Sequence, residues 1–185
     1  MADAHRTLVQ ALREHALVIG EVTLTSGQTA QYYVDAKRAI LLSAGFRALG
    51  ELVAAEARRV DATAVGGTTM GADPVACAAL AGGADVKAFF VRKERKEHGL
   101  QRWVEGPLLE PGERCLVVED VVTTGGSTVH AIERVRAEGF EVAGVTSVLD
   151  RLAGGAENIK AAADGAPYRP LTTIDEVYPE RPDRA

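Results

Sequence analysis

Apolar residues recur along this chain in two rhythms. Short continuous runs bounded by glycine, proline or charge read as strands: Thr63 to Val65, Lys87 to Val91, Cys115 to Val118 and Glu141 to Leu149. Between them the apolar positions fall at helical spacing. Residues 4–16 place Leu8, Val9 and Leu12 on one face, and residues 43–59 turn Phe46, Leu49, Leu52 and Val53 inward, with Ser43 as the expected cap. Asp73-Pro74 reads as a cap followed by a first-turn proline, opening a helix that reaches about Leu80 and stops at Gly82-Gly83. Residues 127–138 repeat the pattern with Val129, Ile132 and Val135, ending near Gly139. A weaker helix is expected over 156–163 and a strand near Tyr168 to Thr172. Ahead of all these, Val18 to Leu24 and Tyr32 to Val34 read as strands separated by a Ser26-Gly27 turn. The residues from Pro179 onward read as a loose tail.

Strands alternating with helices predict an α/β fold, a parallel central sheet flanked by helices. The 185 residues suffice for one domain with a sizeable core. A net charge of −5 argues against a general nucleic-acid binder or an anionic-membrane binder, so an anionic ligand has to be met by a local basic cluster. Two cysteines, Cys77 and Cys115, are too few for a disulfide framework, and both sit in apolar patterns that suit reduced core residues. No run approaches a membrane span, and the N-terminus, with Asp3, His5 and Arg6, lacks the apolar stretch of a signal peptide. The expected location is the cytoplasm.

The segment from Cys115 to Thr128 carries the most chemistry. A buried-type strand leads into the acids Glu119 and Asp120, then into Thr123-Thr124-Gly125-Gly126-Ser127 and a helix. A small-residue loop entering a helix N-terminus offers backbone N–H groups to an anion, and its hydroxyls add donors. There is no lysine of a P-loop, and the acids precede the loop rather than following a Rossmann turn. Carboxylates only accept hydrogen bonds, so two of them beside a phosphate cradle suit the hydroxyls of a diol. Phosphate on one side and diol on the other describe a ribose 5-phosphate. A plain acidic pair near a turn is the competing reading.

Three further strand ends bear on the site, because ligands of parallel α/β sheets bind outside the carboxyl ends of the strands. Gly66 to Gly71 leads into a helix and reads either as a second anion cradle or as a glycine-rich connector. Arg92-Lys93-Glu94-Arg95-Lys96-Glu97-His98-Gly99 crowds cations after a strand and opens a long polar segment, 92–112. It reads as a basic lid or as a solvated charge run. Asp150-Arg151 ends the long apolar strand, where the arginine can fork a carboxylate or join a surface ion pair.

These residues resemble the type I phosphoribosyltransferase family, and within it the branch acting on orotate. Val117-Val118-Glu119-Asp120-Val121-Val122-Thr123-Thr124-Gly125-Gly126-Ser127 is similar to the phosphoribosyl diphosphate signature of the family. Arg92-Lys93-x-x-Lys96-x-His98-Gly99 resembles the catalytic lid of the orotate branch. Ser26-Gly27 with Tyr32-Tyr33-Val34-Asp35 is similar to the N-terminal hood over the base, Gly66 to Pro74 to the diphosphate loop, and Asp150-Arg151 to the position where an arginine meets orotate.

The resemblance implies one domain, with a hood of about residues 1–40 and a core of about 41–178. It implies phosphoribosyl transfer from 5-phospho-α-D-ribose 1-diphosphate to orotate. Magnesium is the implied cofactor, held mainly by substrate oxygens rather than by protein ligands. Lys96, His98 and Asp120 are the implied catalytic residues. Arg92, Lys93, Lys96, His98, Glu119, Asp120 and the stretch Val121, Val122, Thr123, Thr124, Gly125, Gly126 and Ser127 would bind phosphoribosyl diphosphate. Thr123 and Arg151 would bind orotate. A homodimer is implied, with each lid reaching into the partner's site. Two positions depart from the pattern: Thr25 and Met70 stand where many members carry lysine. The rival expectations are transfer to another base, which would share residues 115–128 but not the lid, and a regulator that binds phosphoribosyl diphosphate without turnover.

Overall fold

The computed structural model describes residues 1–23, 29–94 and 102–184. Helix α1 (Ala2–Ala11) runs into a π-helical turn, Leu12–Ala16, and then into β1 (Leu17–Thr23), which pairs antiparallel with β2 (Thr29–Val34) in a two-stranded sheet. A short α2 (Lys37–Ile40) and the long α3 (Ser43–Arg59) lead to β3 (Ala64–Thr68), α4 (Asp73–Ala81) and β4 (Lys87–Val91). There follow β5 (Val104–Glu105), β6 (Arg114–Val122), α5 (Gly126–Ala137), β7 (Glu141–Asp150), α6 (Gly155–Ala163), β8 (Thr172–Thr173) and α7 (Ile174–Val177). The main sheet has the order β5-β4-β3-β6-β7-β8, parallel except where β5 runs antiparallel to β4.

The central strands β3, β6 and β7 are buried on both faces, which explains runs of apolar residues without polar alternation. Along β6, Leu116 and Val118 pack with α1, α3 and α4, whereas Cys115 and Val117 pack with α5 and α6. Period-two geometry makes one strand serve both layers. α3 forms because Leu49, Leu52, Val53 and Ala57 share a face, and its last turn carries Arg58 and Arg59, which suit the negative end of the helix dipole. α5 buries Thr128, Ala131, Ile132 and Val135, and Gly139, at φ 87°, ends it in a left-handed turn. Burial of Ile132 and Val135 contributes about 1.5–3 kcal/mol each.

Several expectations are corrected. Ser43 and Asp73 are first helical residues rather than caps; Leu42 and Ala72 occupy the cap positions, and neither helix has a side-chain cap bond. Cys77 is exposed, because α4 turns Val75, Ala76, Ala78 and Ala79 inward and leaves position 77 on the outer face. The polar segment 92–112 contains the edge strand β5, too short to show a periodicity of its own. The strand expected near Tyr168 to Thr172 shrinks to a single bridge at Tyr168 and to β8. The tail is not loose: Arg181, half-buried, pairs with Asp175 and, at 3.1 Å, with Asp183, and Asp183 accepts a hydrogen bond from the Tyr32 hydroxyl at 3.0 Å.

Candidate active site

The strand order reverses between β3 and β6, one leading outward to β4 and the other to β7. Such a switch point opens a crevice at the carboxyl ends of the strands. A cleft of about 420 Å³ lies there, walled by Thr68 to Gly71 after β3, by Glu119 to Val121 of β6, by Thr123 and Ser127, and by Lys37, Lys93 and Arg151. It therefore gathers residues from five separate stretches of the chain.

The acidic pair lies inside β6, which extends beyond the expected Val118 to Val122. Consecutive strand residues point to opposite faces, so the two carboxylates have different environments. Glu119 is 4% exposed and accepts hydrogen bonds from Ser127 Oγ at 2.5 Å, Thr128 Oγ1 at 3.4 Å and the Asp120 N–H at 3.2 Å. Burial pushes its pKa up to about 7; the Ser127 hydrogen bond opposes this and the charge on Asp120 adds to it. Asp120 is more open to the cleft. Its Oδ1 accepts the Val121 N–H at 2.8 Å and its Oδ2 meets Lys37 Nζ at 3.1 Å.

Lys37 was not among the sequence candidates. It also contacts Asp35 Oδ1 at 2.9 Å. Burial works against its charge, but hydrogen bonds to Asp35 and Asp120 and their negative charge outweigh it, so its pKa is raised above the ordinary lysine value. The Asp35-x-Lys37 spacing across the start of α2 was the available signal; the pairing with Asp120 is long-range and invisible in sequence.

The loop after β6 is held from behind. Gly125 takes φ 79°, a conformation that strains other residues, and a Cβ there would meet the Gly155 carbonyl at 2.9 Å. Asn158 donates to the Thr124 carbonyl at 3.0 Å. Backing by α6 leaves the front of the loop free, where Thr123 and Ser127 line the cleft at the N-terminus of α5. Val122 is different: its side chain is buried in the core and its carbonyl accepts the Arg151 N–H, so its side chain has no place in the cleft. Thr124 and Gly126 are exposed at the loop surface.

Gly66 and Gly67 belong to β3 rather than to a cradle. A Cβ at Gly67 would stand 2.0 Å from the Val118 carbonyl oxygen, so these glycines permit close strand and helix packing. The loop proper is Thr68 to Gly71. Thr68 Oγ1 donates to the Ser127 carbonyl at 3.1 Å, joining the two loops. At Gly71 a Cβ would lie 2.5–2.8 Å from three atoms of the Asp120 carboxyl group. Met70 is 72% exposed at the cleft wall.

Arg151 follows β7, and its guanidinium carbon stands 4.7 Å from the centroid of the Tyr32 ring. Its Nε is buried and has no hydrogen-bond partner among the described residues. Among the described residues Arg151 forms no ion pair: Asp150 turns inward to accept the Tyr168 hydroxyl at 2.9 Å and the Leu152 N–H at 2.8 Å. Tyr32, buried, packs edge-on against Tyr178 and donates its hydroxyl to Asp183, and so forms the shelf beneath Arg151.

The basic segment divides. Lys93 lines the cleft, but Arg92 does not; it points into a neighbouring hollow and meets Glu105 at 3.2 Å. Lys96, His98, Thr25 and the Ser26-Gly27 turn lie outside the described residues.

Residues 62–166 match the phosphoribosyl transferase domain family. The chain is 48% identical to orotate phosphoribosyltransferase of Corynebacterium glutamicum over 177 residues, 95% of each chain. The chain belongs to the orotate phosphoribosyltransferase family. Its fold agrees with solved structures of the Mycobacterium tuberculosis enzyme. In the complex with Fe(III) dicitrate the TM-score is 0.85 at 41% identity, covering 95% of this chain and 99% of that one. In the complex with 5-phospho-α-D-ribosyl 1-diphosphate it is 0.80 at 37% identity, covering 94% and 98%. In this phosphoribosyltransferase the family match spans β3 to α6 and so includes both cleft loops, while Lys37 and Tyr32 lie ahead of it. No helix of the described residues is long and apolar enough to cross a membrane.

Proposed function

We propose that this phosphoribosyltransferase moves the 5-phosphoribosyl group of 5-phospho-α-D-ribose 1-diphosphate onto orotate, giving orotidine 5′-monophosphate and diphosphate, a step of pyrimidine nucleotide synthesis. One observation carries the reading: a small-residue loop at a helix N-terminus, an acidic pair and an arginine whose Nε has no partner among the described residues share a single cleft with two lysines.

In this reading the 5-phosphate sits in the loop Thr123 to Ser127, bound by backbone N–H groups and hydroxyls. Asp120 accepts hydrogen bonds from the ribose hydroxyls and favours the positive charge that grows at C1 as the bond to diphosphate breaks. Glu119 braces the loop through Ser127 and Thr128. Orotate supplies the attacking ring nitrogen, so no side-chain nucleophile is needed. Lys93, with Lys96 and His98 of the basic segment, meets the charge that develops on the leaving diphosphate. Arg151 forks the orotate anion, and Thr123 borders the same ligand.

Magnesium is the proposed cofactor. The cleft offers carboxylate and hydroxyl oxygens, which suit a hard cation, and no group of three His, Cys, Asp or Glu disposed to hold a metal occurs among the described residues. The ion would be held mainly by the oxygens of the substrate, with the Asp120 carboxylate near by. Bound there, it would neutralise charge on the diphosphate. A homodimer is also proposed, supported by the exposed apolar pair Leu41 and Leu42. Unpaired thiols suit a cytoplasmic location.

The test is the loss of orotate absorbance when phosphoribosyl diphosphate and Mg²⁺ are added to the pure protein. Turnover with orotate and none with uracil or a purine is expected. Turnover with a purine instead, or binding of phosphoribosyl diphosphate without turnover, would refute the assignment.

A further inference from the structure

Helix α5 touches the site at two places. Its N-terminus carries the Thr123 to Ser127 loop. In its last turn, Arg134 reaches back to the edge of the sheet. Arg134 Nη1 donates to the Arg92 carbonyl at 2.5 Å, and Nη2 donates to the Lys93 carbonyl at 2.7 Å. The same guanidinium lies over the Trp103 ring, 4.3 Å from its centroid. The Arg92 N–H donates to the Trp103 carbonyl at 2.9 Å, and the Trp103 N–H donates to Glu138 Oε1 at 2.8 Å. One side chain therefore contacts both points where the chain leaves and rejoins the β4–β5 edge.

The backbone geometry explains the arrangement. In an extended strand successive carbonyls point in opposite directions. Here two consecutive carbonyls converge on one planar fork, so the chain must turn at Arg92–Lys93, and Lys93 and Glu94 do form a bend. The result is that Lys93 stands where the central cleft meets the adjacent hollow and lines both, while Arg92 lines only the hollow, with Glu105. Charge does not account for Arg134 being there. Its neighbours Arg92 and Lys93 are cations, and it has no carboxylate partner among the described residues. A guanidinium satisfied by two carbonyls and an aromatic face is fixing backbone geometry. A lysine could keep the charge but has no rigid fork to span both acceptors.

We propose that Arg134 is a positioning residue for phosphoribosyl transfer: it sets the bend that holds Lys93 at the cleft wall and ties that bend to the helix that begins at the phosphate loop. The proposal rests on the reading that Lys93 meets the diphosphate.

The test compares Arg134→Gln, Arg134→Lys, Lys93→Ala and the double variant Lys93→Ala/Arg134→Gln. Trp103 is the one tryptophan of the chain, so its emission reports directly on this contact. Arg134→Gln should lower kcat between about ten- and a hundredfold, the range for a misplaced catalytic group, while the KM for orotate is unchanged and Trp103 emission shifts. Arg134→Lys should recover only part of kcat. The double variant should be no slower than Lys93→Ala, because Arg134 acts through Lys93. Additive losses would overturn the proposal. So would normal kcat in Arg134→Gln with altered emission, or a rise in both KM values accompanied by a lower melting temperature. If Lys93→Ala itself turns over at the normal rate, the role given to Lys93 falls and takes the proposal with it. If Lys93→Ala is slow and Arg134→Gln is not, the proposal alone falls.

Discussion

Replacing Arg151 with alanine separates recognition of the base from everything else in the cleft. The side chain lies on Tyr32 at 4.7 Å, its Nε lacks a partner among the described residues, and the neighbouring Asp150 is engaged with Tyr168. Folding therefore gains little from it: a cation–aromatic contact at a partly exposed site contributes about 0.5–1 kcal/mol. Binding should lose more. A guanidinium fork on an anion forms charge-assisted hydrogen bonds, and removing them costs roughly 1.5–3 kcal/mol, about ten- to a hundredfold in affinity. Arg151→Ala should thus weaken orotate by that factor, leave phosphoribosyl diphosphate unchanged and lower the melting temperature only slightly. Arg151→Lys should restore part of the loss, since it keeps the charge without the fork. Isothermal titration of each substrate into each variant measures this directly. Equal weakening of both substrates would make Arg151 a structural residue, and unchanged orotate affinity would move base recognition to Tyr33 and the rest of the hood.

Gly71→Ala places a methyl group within 2.8 Å of the Asp120 carboxyl group and must displace it from Lys37, so turnover should drop about a hundredfold with little loss of stability; a normal rate would remove Asp120 from the ribose site. Glu119 has a folded pKa raised to about 7, so the folded state holds its proton more tightly than the unfolded chain. Its contribution to stability is complete below the unfolded value near 4.5 and is lost as pH rises through about 7. Urea unfolding should accordingly show Glu119→Gln gaining on the native protein between pH 5 and pH 8, and a constant difference across that range would refute the raised pKa. Chain mixing tests the shared site. Lys93 faces the cleft of its own chain, so Lys93→Ala and Asp120→Asn chains should not restore activity together, whereas a lid donated across a homodimer predicts recovery for Lys96→Ala with Asp120→Asn. Recovery in the first mixture would assign Lys93 to the partner's site.

The features legible in the sequence are those fixed by neighbours along the chain. The apolar runs of β3, β4, β6 and β7 and the helical spacing of α3 and α5 report burial on known faces, and those elements stand where the pattern put them. That Thr123 to Ser127 form a loop entering a helix was readable because glycine and hydroxyl residues between a strand run and a helical pattern make a turn by local geometry alone. Helix caps failed because Ser43 and Asp73 fit either side of a boundary that backbone packing decides. Other features depended on contacts between distant segments. Lys37 enters the cleft only because β2 and α2 end beside β6, and sequence spacing says nothing of a partner 83 positions away. The tail from Pro179 lacks an apolar pattern yet is held by ion pairs and by Tyr32, which no periodicity encodes. Arg92 and Lys93 are equivalent in sequence, but only Lys93 reaches the wall of the cleft, while Arg92 is held in the hollow by Glu105. Local patterning determined which elements form and which chemistry they carry, because both follow from side-chain spacing. Tertiary structure decided which charges meet, because that depends on the order of strands in the sheet.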